Sequence, residues 1–184
     1  VINFVKWCKE NFLINKKDVF SQLNPLYFDN SVFDLYNSML LGNTLVFVPT
    51  LDINNPIKLL NTIHKHKCTI WFSTPSLLIY FINFNLLDKK KFKNIKKIIF
   101  GGEGFPKAKL KILFKKLRNK FFYNVYGPTE WTCICSRYLI SEKDFDSKYD
   151  LLKNIYVPIG SIAENFDYKI VDNKFRQVKK GNVG

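Results

Sequence analysis

The sequence predicts an α/β fold built on a largely parallel β-sheet with crossover helices. Two observations predict it. From about residue 44 to residue 125, short apolar runs rich in β-branched and aromatic residues alternate with segments whose apolar residues recur at three- and four-residue spacing. Three of these runs end in loops of unusual composition: Ser73-Thr74-Pro75-Ser76, Gly101-Gly102-Glu103, and Tyr126 through Glu130. In an open α/β sheet such loops share one edge, the carboxyl ends of the strands, where ligands bind.

The elements follow in order. Phe4, Val5, Trp7 and Cys8 suggest an opening helix, and Asn24-Pro25 introduces an extended segment ending at Phe28. A helix starts near Ser31, with Ser31 and Asp34 as its cap and an inward stripe of Val32, Leu35, Tyr36, Met39 and Leu40; Gly42-Asn43 ends it. Residues 44–48 form a short strand. Asn55-Pro56 opens a helix carrying Leu59, Leu60 and Ile63, and residues 69–72 form the next strand. Thr74-Pro75 opens a helix with Leu77, Leu78, Phe81 and Ile82, and residues 87–97 read as a basic connector into a strand at 98–100. Phe105-Pro106 opens a helix with the stripe Leu110, Leu113, Phe114 and Leu117, which feeds a strand at 121–125. A further strand is expected at 133–138, a charged loop from Ser141 to about Lys153, and a last extended segment at 168–171 after Pro158-Ile159-Gly160.

Composition narrows the function classes. A chain of 184 residues with 47% hydrophobic and 16% aromatic content supports a globular core rather than disorder. No apolar run reaches the roughly 18–20 residues that span a bilayer, and the first residues lack the order of a signal peptide, so the expected location is the cytoplasm. The net charge of +14 would suit a nucleic-acid binder. Its lysines, however, cluster at Lys89-Lys90-Lys91, Lys96-Lys97, Lys111, Lys115, Lys116 and Lys179-Lys180, mostly where solvated faces and connectors are expected, and no aromatic-basic interleaving stands out as a stacking platform. Cys8, Cys68, Cys133 and Cys135 contain no Cys-x-x-Cys pair and read as free, buried thiols; His64 and His66 diverge on a helix and do not form a ligand pair.

The string Asn124-Val125-Tyr126-Gly127-Pro128-Thr129-Glu130 carries the most chemistry. Tyr126 offers a flat face for a purine, Gly127-Pro128 bends the chain sharply, Thr129 can donate to a phosphate oxygen, and Glu130 can hold Mg²⁺. Gly101-Gly102 permits close backbone approach to a ligand. Asp29 and Phe33, four apart at a helix start, can face one cavity as a carboxylate beside an apolar wall, although Asp29 as a simple helix cap fits the local sequence equally well. Ser73-Thr74-Pro75-Ser76 is fully accounted for as a helix cap and is assigned no chemistry.

The string resembles the nucleotide-binding signature Asn-x-Tyr-Gly-Pro-Thr-Glu of the adenylate-forming enzymes, in the form found in amino-acid adenylation domains of nonribosomal peptide synthetases and in D-alanine-carrier-protein ligases. Three further blocks in matching order carry the resemblance over essentially the whole chain: Phe28-Asp29-Asn30-Ser31, Gly101-Gly102-Glu103 and Pro158-Ile159-Gly160. The segment Phe28-Asp29-Asn30-Ser31-Val32-Phe33-Asp34-Leu35-Tyr36 most resembles the D-alanine ligases, while Gly101 departs from the Cys common there, which implies a slightly larger pocket and another small amino acid.

The resemblance implies a division of labour. Asp29 would pair with a substrate α-ammonium, and Asn30, Phe33, Phe72, Ile99, Gly101, Val125, Cys133 and Ile134 would line a mostly apolar side-chain pocket. Gly101, Gly102, Glu103, Asn124, Tyr126, Gly127 and Thr129 would hold the nucleotide, with Asn124 on the adenine edge and Tyr126 on its face. Thr129 and Glu130 would act in catalysis, Thr129 on the α-phosphate and Glu130 through Mg²⁺.

ATP and Mg²⁺ are the implied cofactors, a carrier protein with a phosphopantetheine arm the implied partner, and aminoacyl-AMP formation the implied reaction. The chain would be the central portion of one AMP-binding domain, within the large N-terminal domain of such an enzyme. A phosphate loop would lie upstream, and a lysine-bearing domain downstream. The alternatives are an acyl- or aryl-CoA ligase of the same superfamily, which Asp29 disfavours, and a non-catalytic basic binding module.

Overall fold

In the computed structural model, which describes residues 1–146, 156–164, 166–179 and 181–182, the expected α/β architecture is present. The helices are α1 (Ile2–Asn11), α2 (Ser31–Leu41), α3 (Thr50–Ile53), α4 (Pro56–Lys65), α5 (Pro75–Asn83) and α6 (Lys107–Lys116). The strands are β1 (Val19–Gln22), β2 (Thr44–Phe47), β3 (Ile70–Ser73), β4 (Lys97–Gly101), β5 (Phe121–Tyr126), β6 (Ser136–Leu139) and β7 (Ser161–Ile162). They form one sheet in the order β2-β1-β3-β4-β5-β6-β7. The first five pair in parallel, while β6 and β7 are antiparallel additions.

Alternation along the strands builds a core on each face. Ile70, Phe72, Ile99, Tyr123 and Val125 pack with α1 and α2 residues such as Phe4, Cys8 and Phe33. Trp71, Ile98, Phe100 and Phe122 turn to the other face, against Leu59 and Ile63 of α4, Leu78 and Phe81 of α5, and Leu110 and Leu113 of α6. The sheet is therefore sandwiched, which explains why its central strands are buried throughout.

Several expectations need correction. The segment at 24–28 is a turn rather than extended, closed by the Phe28 N–H to Pro25 carbonyl bond at 3.0 Å. β1, α3 and β7 have no counterpart among the expected elements. The inward face of α2 is the opposite of the one expected: Ser31, Phe33, Asp34, Asn37 and Ser38 are buried, whereas Met39 and Leu40 are 66% and 56% exposed. Ser31, Asn37 and Ser38 go inward because nearby backbone carbonyls take their protons, Ser31 Oγ donating to Phe28 O at 2.8 Å, Asn37 Nδ2 to Phe33 O at 2.7 Å and Ser38 Oγ to Leu35 O at 2.8 Å. Ser31 and Asp34 do not cap the helix. Cys133 and Cys135 precede β6 instead of lying on it, because Thr132 and Cys133 adopt left-handed backbone angles that a strand excludes. Residues 168–171 form no strand; they contribute an isolated Val171 to Gln177 bridge and a bond from the Val178 amide to the Ile170 carbonyl at 3.0 Å. The expected charged loop is described as far as residue 146 and begins with a capped 3₁₀ turn at Glu142–Phe145; the rest of it, like Lys180, lies outside the described residues.

Lys97 is the largest departure from a solvated reading. It starts β4 and is buried, its Nζ 2.6 Å from Asp18 Oδ2 and 3.1 Å from the Leu13 carbonyl. The other Asp18 oxygen accepts from Thr69 Oγ1 at 2.7 Å, and the Asn15 amide donates to Oδ2 at 3.0 Å. Three chain positions just ahead of β1, ahead of β3 and at the head of β4 are thus joined at one carboxylate. Burial alone would raise the Asp18 pKa, but hydrogen bonds from Lys97, the Asn15 amide and Thr69, with the Lys97 charge, outweigh it and hold the carboxyl below its usual range.

Removing one partner of a buried pair typically costs about 3–5 kcal/mol because the other charge is stranded. Lys97→Met and Asp18→Asn are each expected to destabilise by that order in urea unfolding, with a smaller loss in the double variant than the sum of the two. Since the folded pKa of Asp18 is depressed, its contribution is complete above about pH 4, the unfolded value, and is lost as the pH falls through the folded one. The acid limb of the stability profile should therefore flatten in Asp18→Asn.

Candidate active site

The registers align the carboxyl ends of the central strands, Ser73 opposite Phe100 and Gly101 opposite Val125. The three loops that follow β3, β4 and β5 consequently meet, and two adjoining clefts open among them. The smaller, about 400 Å³, is walled by Gly102, Glu103, Gly104, Asn124, Tyr126 and Tyr156, among others. The larger, about 570 Å³, includes Asn24, Asp29, Asn30, Thr74, Glu103 and Thr129 in its wall. Gly102, Glu103 and Gly127 belong to both.

Local geometry explains the residue types. Gly102 has φ +83°, and a Cβ placed on it would meet no atom nearer than 3.8 Å, so backbone conformation rather than space requires glycine there. At Gly127 the reason is contact, since a Cβ would lie 2.4 Å from the Cys133 carbonyl oxygen. Gly101, within β4, is packed in the same way against Val125, with the carbonyl oxygen 2.6 Å from a Cβ position.

In the smaller cleft, Asn124 Nδ2 donates to the Pro158 carbonyl at 2.8 Å, which orients the amide and leaves its oxygen as the acceptor end. This bond and that from Ser136 Oγ to the Ile159 carbonyl, at 3.0 Å, hold Pro158-Ile159-Gly160 beside the strand ends. Tyr126 is half-exposed, and the Tyr156 ring rests over Gly104, where a Cβ would come within 2.6 Å of it. Tyr156 is absent from the residues expected from sequence; an isolated tyrosine after a charged loop gives no signal.

Thr129, in the wall of the larger cleft, and Glu130, exposed and outside the lining of both clefts, open a 3₁₀ turn, Thr129–Trp131, immediately after Pro128. Thr129 Oγ1 donates to Asp29 Oδ2 at 2.7 Å, across 100 residues of chain. The Glu103 carboxylate accepts both the Ser76 amide N–H, at 3.1 Å, and the Ser76 hydroxyl. Glu103 therefore satisfies the start of α5, whereas Thr74, at the cap position, makes no side-chain cap bond and lines the cleft instead. Assigning Ser73 through Ser76 to capping alone misses both facts, since the true cap comes from a residue distant in sequence.

The nine residues expected to bind substrate divide in two. Asp29 and Asn30 line the larger cleft. Phe33, Phe72, Ile99, Val125, Cys133 and Ile134 are buried members of one packed cluster, Val125 also reaching the wall of the smaller cleft, and Gly101 is buried beside Val125 in the sheet. Phe33 meets Phe72 edge-on at 5.0 Å and Phe12 at 5.5 Å, so its ring fills core space instead of walling the cleft beside Asp29.

Behind the cleft, Asp34 is fully buried with no cationic partner among the described residues, Asn24 Nδ2 lying 3.5 Å from its carboxyl, and burial pushes its pKa well above the usual range. All four cysteines are free and buried, and burial raises Cys68 to about 12 and shifts Cys8, Cys133 and Cys135 upward. Thiols held protonated in this way are poor nucleophiles.

A family profile described as AMP-binding enzyme matches residues 1–184. The chain belongs to the AMP-binding enzyme family. Among curated AMP-binding relatives, an L-proline--[L-prolyl-carrier protein] ligase of Streptomyces coelicolor is 30% identical over 99% of this chain and 33% of its own length. A D-alanine--D-alanyl carrier protein ligase of Lacticaseibacillus rhamnosus is 30% identical over 100% of this chain and 35% of its own. The chain spans about a third of the length of these relatives. Among solved structures, the Vibrio cholerae adenylation domain AlmE, in complex with glycyl-adenosine-5'-phosphate, superposes with a TM-score of 0.78 at 23% identity, covering 95% of this chain and 31% of that one. The nonribosomal peptide synthetase FmoA3 in its AMPPNP-bound form gives 0.83 at 23% identity, covering 95% and 18%. These likenesses show that the fold is that of adenylation domains.

The two glycines that border both clefts should lose stability on substitution for different reasons. Gly127→Ala must displace the backbone at Cys133, at an expected cost of about 1–3 kcal/mol. Gly102→Ala has room and should lose only about 1–2 kcal/mol, from its left-handed backbone. Thermal unfolding of the two variants checks this assignment. Because the Gly127 clash is with backbone, adding Cys133→Ala should leave the cost of Gly127→Ala unchanged.

Proposed function

We propose that the full-length protein activates a small amino acid with ATP as an aminoacyl-AMP and passes the acyl group to the phosphopantetheine thiol of a carrier protein. The observation that carries this reading is the meeting of Asp29 and Thr129 in one cleft, 2.7 Å apart. A carboxylate suited to an ammonium lies within hydrogen-bond reach of a hydroxyl suited to a phosphate. An amino acid anchored at Asp29 therefore has its own carboxylate near the α-phosphate, as adenylation requires. The carrier-protein ligases among the relatives support the acceptor.

The residues take the following parts. Tyr126 and Tyr156 flank the smaller cleft and receive the purine, and the fixed Asn124 amide offers its oxygen to the exocyclic amine of adenine. Gly102 and Gly127 line both clefts where the nucleotide would pass from one to the other, and Thr129 steadies the α-phosphate. The substrate carboxylate, already ionised near neutral pH, attacks the α-phosphorus as pyrophosphate departs, so no general base is needed. Mg²⁺, when bound, neutralises phosphate charge. The exposed carboxylate of Glu130, one residue beyond Thr129, fits the habit of this ion of binding through one or two protein carboxylates with substrate phosphates. Phe33, Phe72, Ile99, Cys133 and Ile134 are packed into the core behind the clefts, so the space beside Asp29 favours a small substrate side chain. On this reading residues 1–184 are the central portion of one AMP-binding domain, and a phosphate loop and a lysine-bearing domain come from sequence outside them.

Amino-acid-dependent ATP-pyrophosphate exchange by the full-length gene product tests the proposal. Asp29→Ala is expected to lower exchange by at least a hundredfold while the nucleotide still binds. Unchanged exchange in that variant would remove Asp29 from its role, and CoA-dependent activity on plain acids would replace the amino-acid reading.

A further inference from the structure

The bond between Thr129 and Asp29 does more than bring two recognition groups together, because Thr129 has a single hydroxyl proton. In the structure that proton is given to Asp29 Oδ2 at 2.7 Å, a length typical of a hydrogen bond to a carboxylate. The same proton cannot be donated to a phosphate oxygen at the same time. Thr129 and Asp29 both line the larger cleft, and nothing else in the hydrogen bonding described for either side chain competes for the contact.

Resting on the adenylation reading, we propose that the Thr129-Asp29 hydrogen bond couples the two substrates: Asp29 is a positioning residue for the nucleotide as well as the ammonium anchor. With no amino acid present, Asp29 holds the Thr129 hydroxyl away from the α-phosphate. An ammonium bound at Asp29 satisfies the carboxylate and weakens its claim on the Thr129 proton, which then turns to phosphate. The amino acid thereby tightens nucleotide binding, and by reciprocity the nucleotide tightens amino-acid binding to the same degree. Nucleotide held without an amino acid is held in a form less ready to react.

Titration calorimetry on the full-length gene product, with α,β-methylene-ATP and Mg²⁺ and without amino acid, separates this coupling from simple charge repulsion. Asp29→Ala is expected to tighten the nucleotide about fivefold, the low end of typical couplings. In the Thr129→Val background the same Asp29→Ala change should alter affinity less than twofold, and Thr129→Ser, which keeps the hydroxyl, should restore the larger effect. In the wild type, an amino acid that supports exchange should tighten the nucleotide by a similar factor, and in Thr129→Val it should not. An equal gain from Asp29→Ala with and without the Thr129 hydroxyl would overturn the proposal, since the effect would then be carried by charge alone. Absence of nucleotide binding to the wild type would overturn the adenylation reading itself, and the coupling with it; retained exchange with no coupling would overturn only the coupling.

Discussion

The carboxylate of Asp18 is the fixed point on which the sheet depends. It is buried, and its three bonds reach Lys97 at the head of β4, Thr69 just before β3 and the Asn15 amide in its own turn. The direct β1 to β3 pairing is short, Phe20 opposite Ile70, and the Asp18 bridge adds to the bonds from Thr69 N–H to the Val19 carbonyl and from Ser21 Oγ to the Ile70 carbonyl that hold these strands in step. Burying two charges is costly, and the return lies in specificity: a slip of any one strand would strand an unpaired charge in the core. Register set at one end of a strand is register set at the other. The loops after β3, β4 and β5 meet because their strands begin in a fixed relation.

At the opposite edge the same economy of backbone appears in a different form. Gly101 and Gly127 let neighbouring chain pass at contact distance, and Gly102 turns the backbone where side chains would resist. Around them, polar side chains are fixed by partners distant in sequence: Asn124 by Pro158, Glu103 by Ser76, Thr129 by Asp29. The outcome is a pair of connected clefts with an aromatic compartment at one end and a carboxylate at the other. That arrangement suits a ligand with a flat base, a charged linker and an ammonium.

Much of this is legible from residue order. Asn55-Pro56 and Thr74-Pro75 announce helices, Gly42 ends one in a left-handed conformation, and the loops of the sheet edge stand out because glycine, proline, hydroxyl and carboxylate residues gather after apolar strands. What fails does so for identifiable reasons. The inward face of α2 is misread because apolar periodicity assumes that polar side chains seek water, whereas Ser31 and Asn37 find carbonyls within their own turn. Lys97 reads as surface because it follows Lys96 at the end of a lysine-rich connector, and the partner that buries it is 79 residues away. β1 is four residues long with Ser21 and Gln22 buried in it, too short and too polar to register as a strand. The expected pocket residues do converge, but from sequence spacing alone Phe33 could not be told apart as a core residue rather than a cleft wall.

Everything proposed for the site requires the two clefts to be halves of one binding surface. The most direct measurement is a crystal structure of the full-length protein with a non-hydrolysable aminoacyl-adenylate mimic. The expected result is the adenine between Tyr126 and Tyr156 with its amine on the Asn124 oxygen, and the ammonium within hydrogen-bond distance of Asp29. An adenylate bound with its base outside the smaller cleft, or with its ammonium held by another group, would contradict it.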